Sequence, residues 1–134
     1  MPITRHAAEM VAEARQRITE IDAADALHLV GDGNTVFVDL RDIRERVKLG
    51  TIPGAFHCPR GMAEFWADPE SPYFKPVFAE EKHFLFYCGS GWRSALTVKT
   101  LQAMGFGSGG ERIAHITGGF TEWQQAGGEI EQVK

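Results

Sequence analysis

His83-Phe84-Leu85-Phe86-Tyr87-Cys88 runs directly into Gly89-Ser90-Gly91, and Trp92-Arg93-Ser94 follows. This junction constrains the fold more than any other stretch of the chain. A segment that is continuously apolar after His83 suits a strand covered on both faces, as in a parallel sheet. Parallel strands need crossover connections, usually helices. Arg93 to Met104 supplies one: Thr97, Leu101 and Met104 share a helical face, Val98 lies at its edge, and Gly105 suits the C′ stop. The apolar run Phe84 to Cys88 is the longest in the chain, far short of the ~18 residues of a membrane span.

The rest of the chain repeats the alternation. Thr4 is placed to cap a first helix, with Ala7, Val11, Ala14 and Ile18 on one face. Ile18 to Ile21 is β-branched enough for a short strand, and Asp22 then starts a short helix through Leu29. Val36-Phe37-Val38-Asp39-Leu40 reads as a buried strand and Arg41 to Leu49 as a short charged helix. Ala55 to Cys58 is a short strand, and Gly61 to Trp66 makes one or two helical turns. Asp68 to Pro76 is a loop, followed by a helical turn around Val77 to Glu81. Ile113 to Thr117 is a strand and Phe120 to Ala126 a last helix. Strands alternating with helices predict an α/β domain with a mainly parallel central sheet flanked by helices. One domain over 1–134 is expected, with an N-terminal helical extension at 1–17 and an insertion at 61–82 before the cysteine-bearing strand.

Composition narrows the function classes. Fourteen basic residues against eighteen acidic give a net charge of −4, which argues against broad nucleic-acid binding. Met1 to Ile18 has no apolar h-region, so no secretory signal is expected. Two cysteines, Cys58 and Cys88, are too few for a disulfide scaffold, and neither lies in a zinc-binding pattern. A reducing cytoplasm is the expected compartment. The five histidines are scattered, and structural or surface roles are expected for most of them.

In open parallel sheets, ligands bind beyond the carboxyl ends of the strands, which is where Cys88 falls. A thiolate is the reactive form of cysteine, and helix N-termini and cations favour it. Gly89 and Gly91 allow successive N–H groups to curl around one centre, and Arg93 adds a permanent charge. The stretch is therefore an anion cradle with a sulfur nucleophile at its base. The alternative is an inert buried cysteine ending a strand. A phosphate-binding P-loop is excluded by the missing Gly-x-x-x-x-Gly-Lys-Ser/Thr pattern.

At this point the sequence resembles the rhodanese-like domain family. Val36 to Arg41 resembles that family's strand ending in Asp-x-Arg, with Glu45 at the usual distance beyond it. Gly50-Thr51-Ile52-Pro53-Gly54-Ala55 resembles its Gly-His-Ile-Pro-Gly-Ala segment. Cys88 to Ser94 resembles its active loop, and Gly118-Gly119-Phe120 with Trp123 and Gly127 its C-terminal motif. The likeness spans roughly residues 18 to 129. Thr51 departs from the family's frequent histidine, the Glu45-to-Gly50 spacing is one residue long, and the segment from Gly61 to Lys82 is longer than in the simplest members.

The resemblance implies sulfur transfer through a persulfide on Cys88, with no other cofactor and no metal. Gly89, Ser90, Gly91, Trp92, Arg93 and Ser94 would bind the donor. Arg93 would grip the anion, Trp92 would wall the pocket, and Ser94 would donate a hydrogen bond or cap the helix. Asp39 and Arg41 would brace the loop as an ion pair. The expected partners are a small sulfur donor, thiosulfate or a similar anion or a persulfide, and a thiophilic acceptor that includes protein thiols. No nucleic acid and no membrane are expected. Cys58 takes the place of an apolar core residue. The aromatic segment of Phe65, Trp66, Tyr73, Phe74 and Phe78 either covers the pocket or packs on the sheet.

Three other activities compete. A cysteine phosphatase would have one residue more between Cys and Arg, where only Gly89 to Trp92 intervene here. A non-catalytic rhodanese-like binding or sensor module typically loses the cysteine. Arsenate reduction or thiol redox chemistry would need Cys58 beside Cys88. Cys88 to Gly91 also resembles the start of the mercaptopyruvate sulfurtransferase loop, which usually continues without an arginine.

Overall fold

In the computed structural model, which describes residues 1–133, the apolar run ending at Tyr87 lies at the middle of a five-stranded sheet. The strands are β1 (Glu20–Ile21), β2 (Thr35–Asp39), β3 (Phe56–His57), β4 (His83–Tyr87) and β5 (Arg112–Ile116). Their spatial order is β1-β5-β4-β2-β3, and every pairing is parallel. The helices are α1 (Ala7–Arg15), α2 (Ala23–Ala26), α3 (Ile43–Leu49), α4 (Ala63–Ala67), α5 (Trp92–Ala103) and α6 (Gly119–Gln125). This is the flanked parallel sheet expected from the alternation. Lys134, the last residue of the expected domain, lies outside the described residues.

Both faces of β4 are buried because successive side chains point to opposite sides. Phe84, Phe86 and Cys88 join Val38, Val98 and Leu101 under α4 and α5. Leu85 and Tyr87 join Phe37, Ala114, Phe120 and Trp123 under α2 and α6. A strand buried this way has no polar side to show, hence its sequence. Val11 and Ala14 of α1 pack on Ala95 of α5, which ties the N-terminal helix to the helix that follows Cys88.

Local signals explain most boundaries, and some differ from expectation. The cap of α1 is His6 and not Thr4: the His6 N–H donates to the Glu9 carboxylate at 3.3 Å. Asp22 sits at the start of α2 without a side-chain cap bond, and α2 gives way to a 3-10 turn at Leu27–Leu29. Asp42 caps α3, accepting the Arg44 N–H at 2.8 Å, while Glu45 accepts the Asp42 N–H at 3.1 Å. This reciprocal pair is a capping box. At the end of α5, Gly105 N–H donates to Gln102 O and Phe106 N–H to Leu101 O, a Schellman stop. Met104, placed by periodicity on the buried face, is 47% exposed because the helix ends there.

The 61–82 segment contributes α4 and two 3-10 turns, Arg60–Met62 and Pro76–Ala79. Its aromatics divide. Phe78 is buried, and Trp66 and Phe74 pack against the core beside it. Phe65 and Tyr73 are exposed and meet edge-on, 6.4 Å apart.

Candidate active site

Cys88 leaves β4 on the side facing α5, and the chain must reverse within three residues to begin that helix. Gly91 makes the reversal at φ +98°, a left-handed conformation that glycine takes without penalty. Its missing side chain matters as well, since a Cβ there would lie 2.1 Å from the Thr117 carbonyl oxygen. Thr117 O is already the acceptor of Arg15 Nη2 at 3.1 Å.

The reversal turns backbone donors onto sulfur. Gly91 N–H donates to Cys88 Sγ at 3.2 Å and Ser94 N–H at 3.4 Å. The first N–H groups of a helix have no intrahelical acceptor, and the helix dipole points its positive end the same way. Cys88 itself is 1% exposed. From below, Gly119 presses against the loop: its own φ is +64°, and a Cβ there would lie 2.6 Å from Cys88 O. Phe120 N–H and Thr121 N–H then donate to the carbonyls of Cys88 and Gly89. The Gly118-Gly119-Phe120 motif thus seats α6 under the cysteine loop.

The other loop residues fall in distinct places. Trp92 opens α5 and is 49% exposed. Arg93 donates to both carboxylate oxygens of Glu45 on α3, at 2.8 and 3.0 Å. Those bonds, with the negative charge available at Cys88, hold the Arg93 guanidinium above its usual range, although partial burial works the other way. They also hold Glu45 below the usual carboxylate range. Ser94 does not cap α5, whose N-cap is Gly91. It is buried, with Oγ 3.6 Å from Cys88 Sγ and 2.7 Å from His115 Nδ1.

Asp39 and Arg41 do form a buried ion pair, at 2.9 Å. It braces the Gly50 to Ile52 segment and touches the strand just before Cys88, not the loop itself. Asp39 also accepts from Arg46, Thr51 and Tyr87, and Arg41 Nη2 donates to Gly50 O at 2.7 Å. Tyr87 OH further accepts the Ile52 N–H. Thr51, where the family often has histidine, therefore joins two strand ends through Asp39 and Tyr87. Burial works to raise the Asp39 carboxyl, but the Arg41 hydrogen bonds and charge outweigh it and hold it below the usual range.

Cys58 is fully buried in the apolar cluster that includes Cys88, and burial pushes its thiol up to about 12. Both cysteines are free. Among the described residues, no group of three or more His, Cys, Asp or Glu is arranged to hold a metal ion. None of their helices is long and apolar enough to cross a membrane.

Residue-level reasoning gave no role to Glu45, Glu20 or His115. Glu45 had a local signal, the Asp42-x-x-Glu45 capping pattern. His115 and Glu20 are neighbours only through the β1–β5 register, in which they face each other. His115 Nε2 lies 2.8 Å from a Glu20 carboxylate oxygen. Nothing local in the sequence announces that pairing.

A family profile for the rhodanese-like domain matches residues 22–126. A Rhodopseudomonas palustris protein of unknown function, described as a possible tyrosine phosphatase, is 50% identical over 98% of both chains, with a TM-score of 0.91. A rhodanese-related protein from Thermoplasma volcanium is 24% identical, covering 84% of this chain and 97% of that one, with a TM-score of 0.64. A thiosulfate sulfurtransferase from Pseudomonas aeruginosa is 19% identical, covering 96% of this chain but 23% of that one, with a TM-score of 0.74. These last two likenesses speak for the fold. No curated protein matches the chain.

Proposed function

The chain belongs to the rhodanese-like domain family, and from that membership we propose that it is a sulfurtransferase carrying sulfane sulfur on Cys88. The observation that carries this reading is the pair of backbone N–H groups, from Gly91 and Ser94, that converge on Cys88 Sγ. Donors fixed in that way favour a thiolate, a persulfide and a departing anion alike.

With thiosulfate as donor, the Cys88 thiolate attacks the outer sulfur. A bond forms between Sγ and that sulfur, the bond between the two donor sulfurs breaks, and sulfite leaves with the electron pair. Cys88 then carries a persulfide anion. A thiophilic acceptor such as cyanide or a protein thiolate attacks the terminal sulfur, and Sγ leaves as thiolate. The two displacements regenerate the enzyme without any other cofactor. Arg93 and the free N–H groups at the start of α5 bind the anionic donor, and Trp92 offers an exposed apolar wall beside them. The setting is a reducing cytoplasm, where Cys88 stays a free thiol.

The description of the Rhodopseudomonas palustris relative raises a phosphatase reading for this chain too. A phosphatase loop must encircle a tetrahedral phosphate and hold it with its arginine. Here only Gly89, Ser90, Gly91 and Trp92 separate Cys88 from Arg93, which makes a smaller ring. Sulfur transfer is favoured on that count.

Mass spectrometry after incubation with thiosulfate tests the assignment. The Cys88 peptide is expected to gain one sulfur that cyanide removes as thiocyanate. An unmodified Cys88 together with turnover of an aryl phosphate would replace sulfur transfer by phosphatase chemistry.

A further inference from the structure

A line of buried polar groups leads away from Cys88. Cys88 Sγ is 3.6 Å from Ser94 Oγ, which is 2.7 Å from His115 Nδ1. His115 Nε2 is 2.8 Å from the Glu20 carboxylate. Ser94 and His115 are fully buried, while Glu20 reaches solvent in part. Each link comes from a different part of the fold: the turn after β4, then α5, β5 and β1.

We propose that Ser94, His115 and Glu20 form a proton relay that receives the thiol proton of Cys88 and stores it on His115. The geometry fixes the direction. The Glu20 carboxylate accepts from Nε2, so Nε2 carries the ring proton and Nδ1 accepts from the Ser94 hydroxyl. The Ser94 oxygen then has a lone pair free for the Cys88 S–H. In the transfer, the S–H bond breaks and an O–H bond forms at Ser94. The original Ser94 O–H bond breaks as an N–H bond forms at His115 Nδ1. The products are a Cys88 thiolate, which accepts from the reoriented Ser94 hydroxyl, and a His115 imidazolium held by Glu20. No proton leaves the protein.

The charges around His115 suit this exchange. Burial works to keep the ring neutral and wins over the Glu20 hydrogen bond, so His115 sits below its usual range. Arg15, 3.5 Å from Glu20, opposes a positive ring as well. On β4 its neighbour is the uncharged Phe86. A proton arriving alone from solvent is thus resisted. A proton that arrives as a thiolate forms two links away leaves the net charge of the site unchanged. The consequence for turnover rests on the sulfurtransferase reading, because the relay would supply the attacking thiolate. His115 and Glu20 act through Ser94 and are positioning residues.

The test needs no sulfur donor. The rate at which iodoacetamide modifies Cys88 is measured against pH by mass spectrometry of the Cys88 peptide. His115→Asn keeps an acceptor for Ser94 but no site for a proton. It and Ser94→Ala are expected to move the half-maximal rate up by about one pH unit, which slows alkylation below that point about tenfold. Glu20→Gln should shift it in the same direction by less. An unchanged profile in folded His115→Asn overturns the relay. If that variant does not fold, 15N NMR of the unmodified protein and of Cys88→Ala decides. An imidazolium signal for His115 at pH values where Cys88 alkylates rapidly, lost in Cys88→Ala, supports the relay. A neutral ring in both overturns it. Sulfur gain on Cys88 from thiosulfate is recorded on the same protein. A shifted profile without sulfur gain leaves the relay standing and removes the sulfurtransferase assignment. Sulfur gain with an unshifted profile does the reverse.

Discussion

Glu45 on α3 accepts hydrogen bonds from both terminal nitrogens of Arg93 on α5, Nη1 at 2.8 Å and Nη2 at 3.0 Å. The guanidinium lies against Gly89, where a Cβ would come within 3.3 Å of Nη2. The arginine offered to an anionic donor is therefore already held by a carboxylate. Both side chains are partly exposed, 42% and 34%, and such pairs are worth only ~0–1 kcal/mol. A dianionic donor can displace Glu45.

Glu45→Gln is expected to lower the apparent KM for thiosulfate a few-fold while keeping the cap on α3, since a glutamine oxygen still accepts the Asp42 N–H. Arg93→Ala should raise that KM and reduce kcat/KM roughly ten- to a hundredfold, the usual loss of a charge-assisted contact. The double variant should match Arg93→Ala alone, because Glu45 acts only through Arg93. Thiocyanate formation from thiosulfate and cyanide gives all three values. Equal KM in all variants would place the donor away from Arg93.

The two cysteines should separate cleanly. Cys88→Ala is expected to abolish sulfur transfer with the fold intact. Cys58→Ala should keep most of it, because Cys58 is buried and its thiol is pushed up to about 12. Iodoacetamide at pH 8 should label Cys88 and spare Cys58 until the protein is unfolded. Folded Cys58→Ala without turnover would point instead to a two-cysteine mechanism.

What could be read from the sequence was whatever depends on local pattern. The apolar run of β4, the glycine stop of α5 and the glycine-bounded cysteine loop each reflect a few adjacent residues. Trp92 is the first residue of α5 although the periodic face starts later, because a helix can begin with a residue that lies half outside the core. The Asp39–Arg41 pair was legible as a pair, but its partners Thr51 and Tyr87 come from other elements. The Ser94–His115–Glu20 line was not legible at all. It requires the β1–β5 register and the seating of α5 together, and scattered polar residues carry no period from which to infer either.

Asp39 gives a stability prediction with a definite pH sign. Its folded value lies below the ordinary 3.8, so its contribution is complete above that pH. The contribution is lost as pH falls through the lower folded value, where the native carboxylate must take a proton. Asp39→Asn should cost about 3–5 kcal/mol at pH 7, since it leaves Arg41 buried without its counter-charge. The gap to the unmodified protein in urea unfolding should narrow as pH drops below 3.8. His83 and His115, which burial also holds low, are common to both proteins and cancel in the difference. A gap independent of pH down to acid unfolding would show that Asp39 is not the charged member of the network.

Gly91 is where backbone geometry and chemistry coincide most closely. At φ +98° an alanine is strained, and its Cβ would lie 2.1 Å from the Thr117 carbonyl oxygen. That oxygen is backbone and already binds Arg15, so it has little freedom to yield. Gly91→Ala must therefore move the loop. The expected loss of stability is about 2–4 kcal/mol, in the range of backbone strain combined with overpacking. Sulfur transfer should fall further than stability does, because moving Gly91 withdraws the N–H that reaches Cys88 Sγ. Gly61→Ala is the control: no atom lies within 4 Å of its Cβ position, and it should leave stability and turnover unchanged. Urea unfolding and thiocyanate formation are measured on both variants. If Gly91→Ala transfers sulfur at the rate of the unmodified protein, the left-handed turn is dispensable and the Gly91 N–H does not serve the nucleophile.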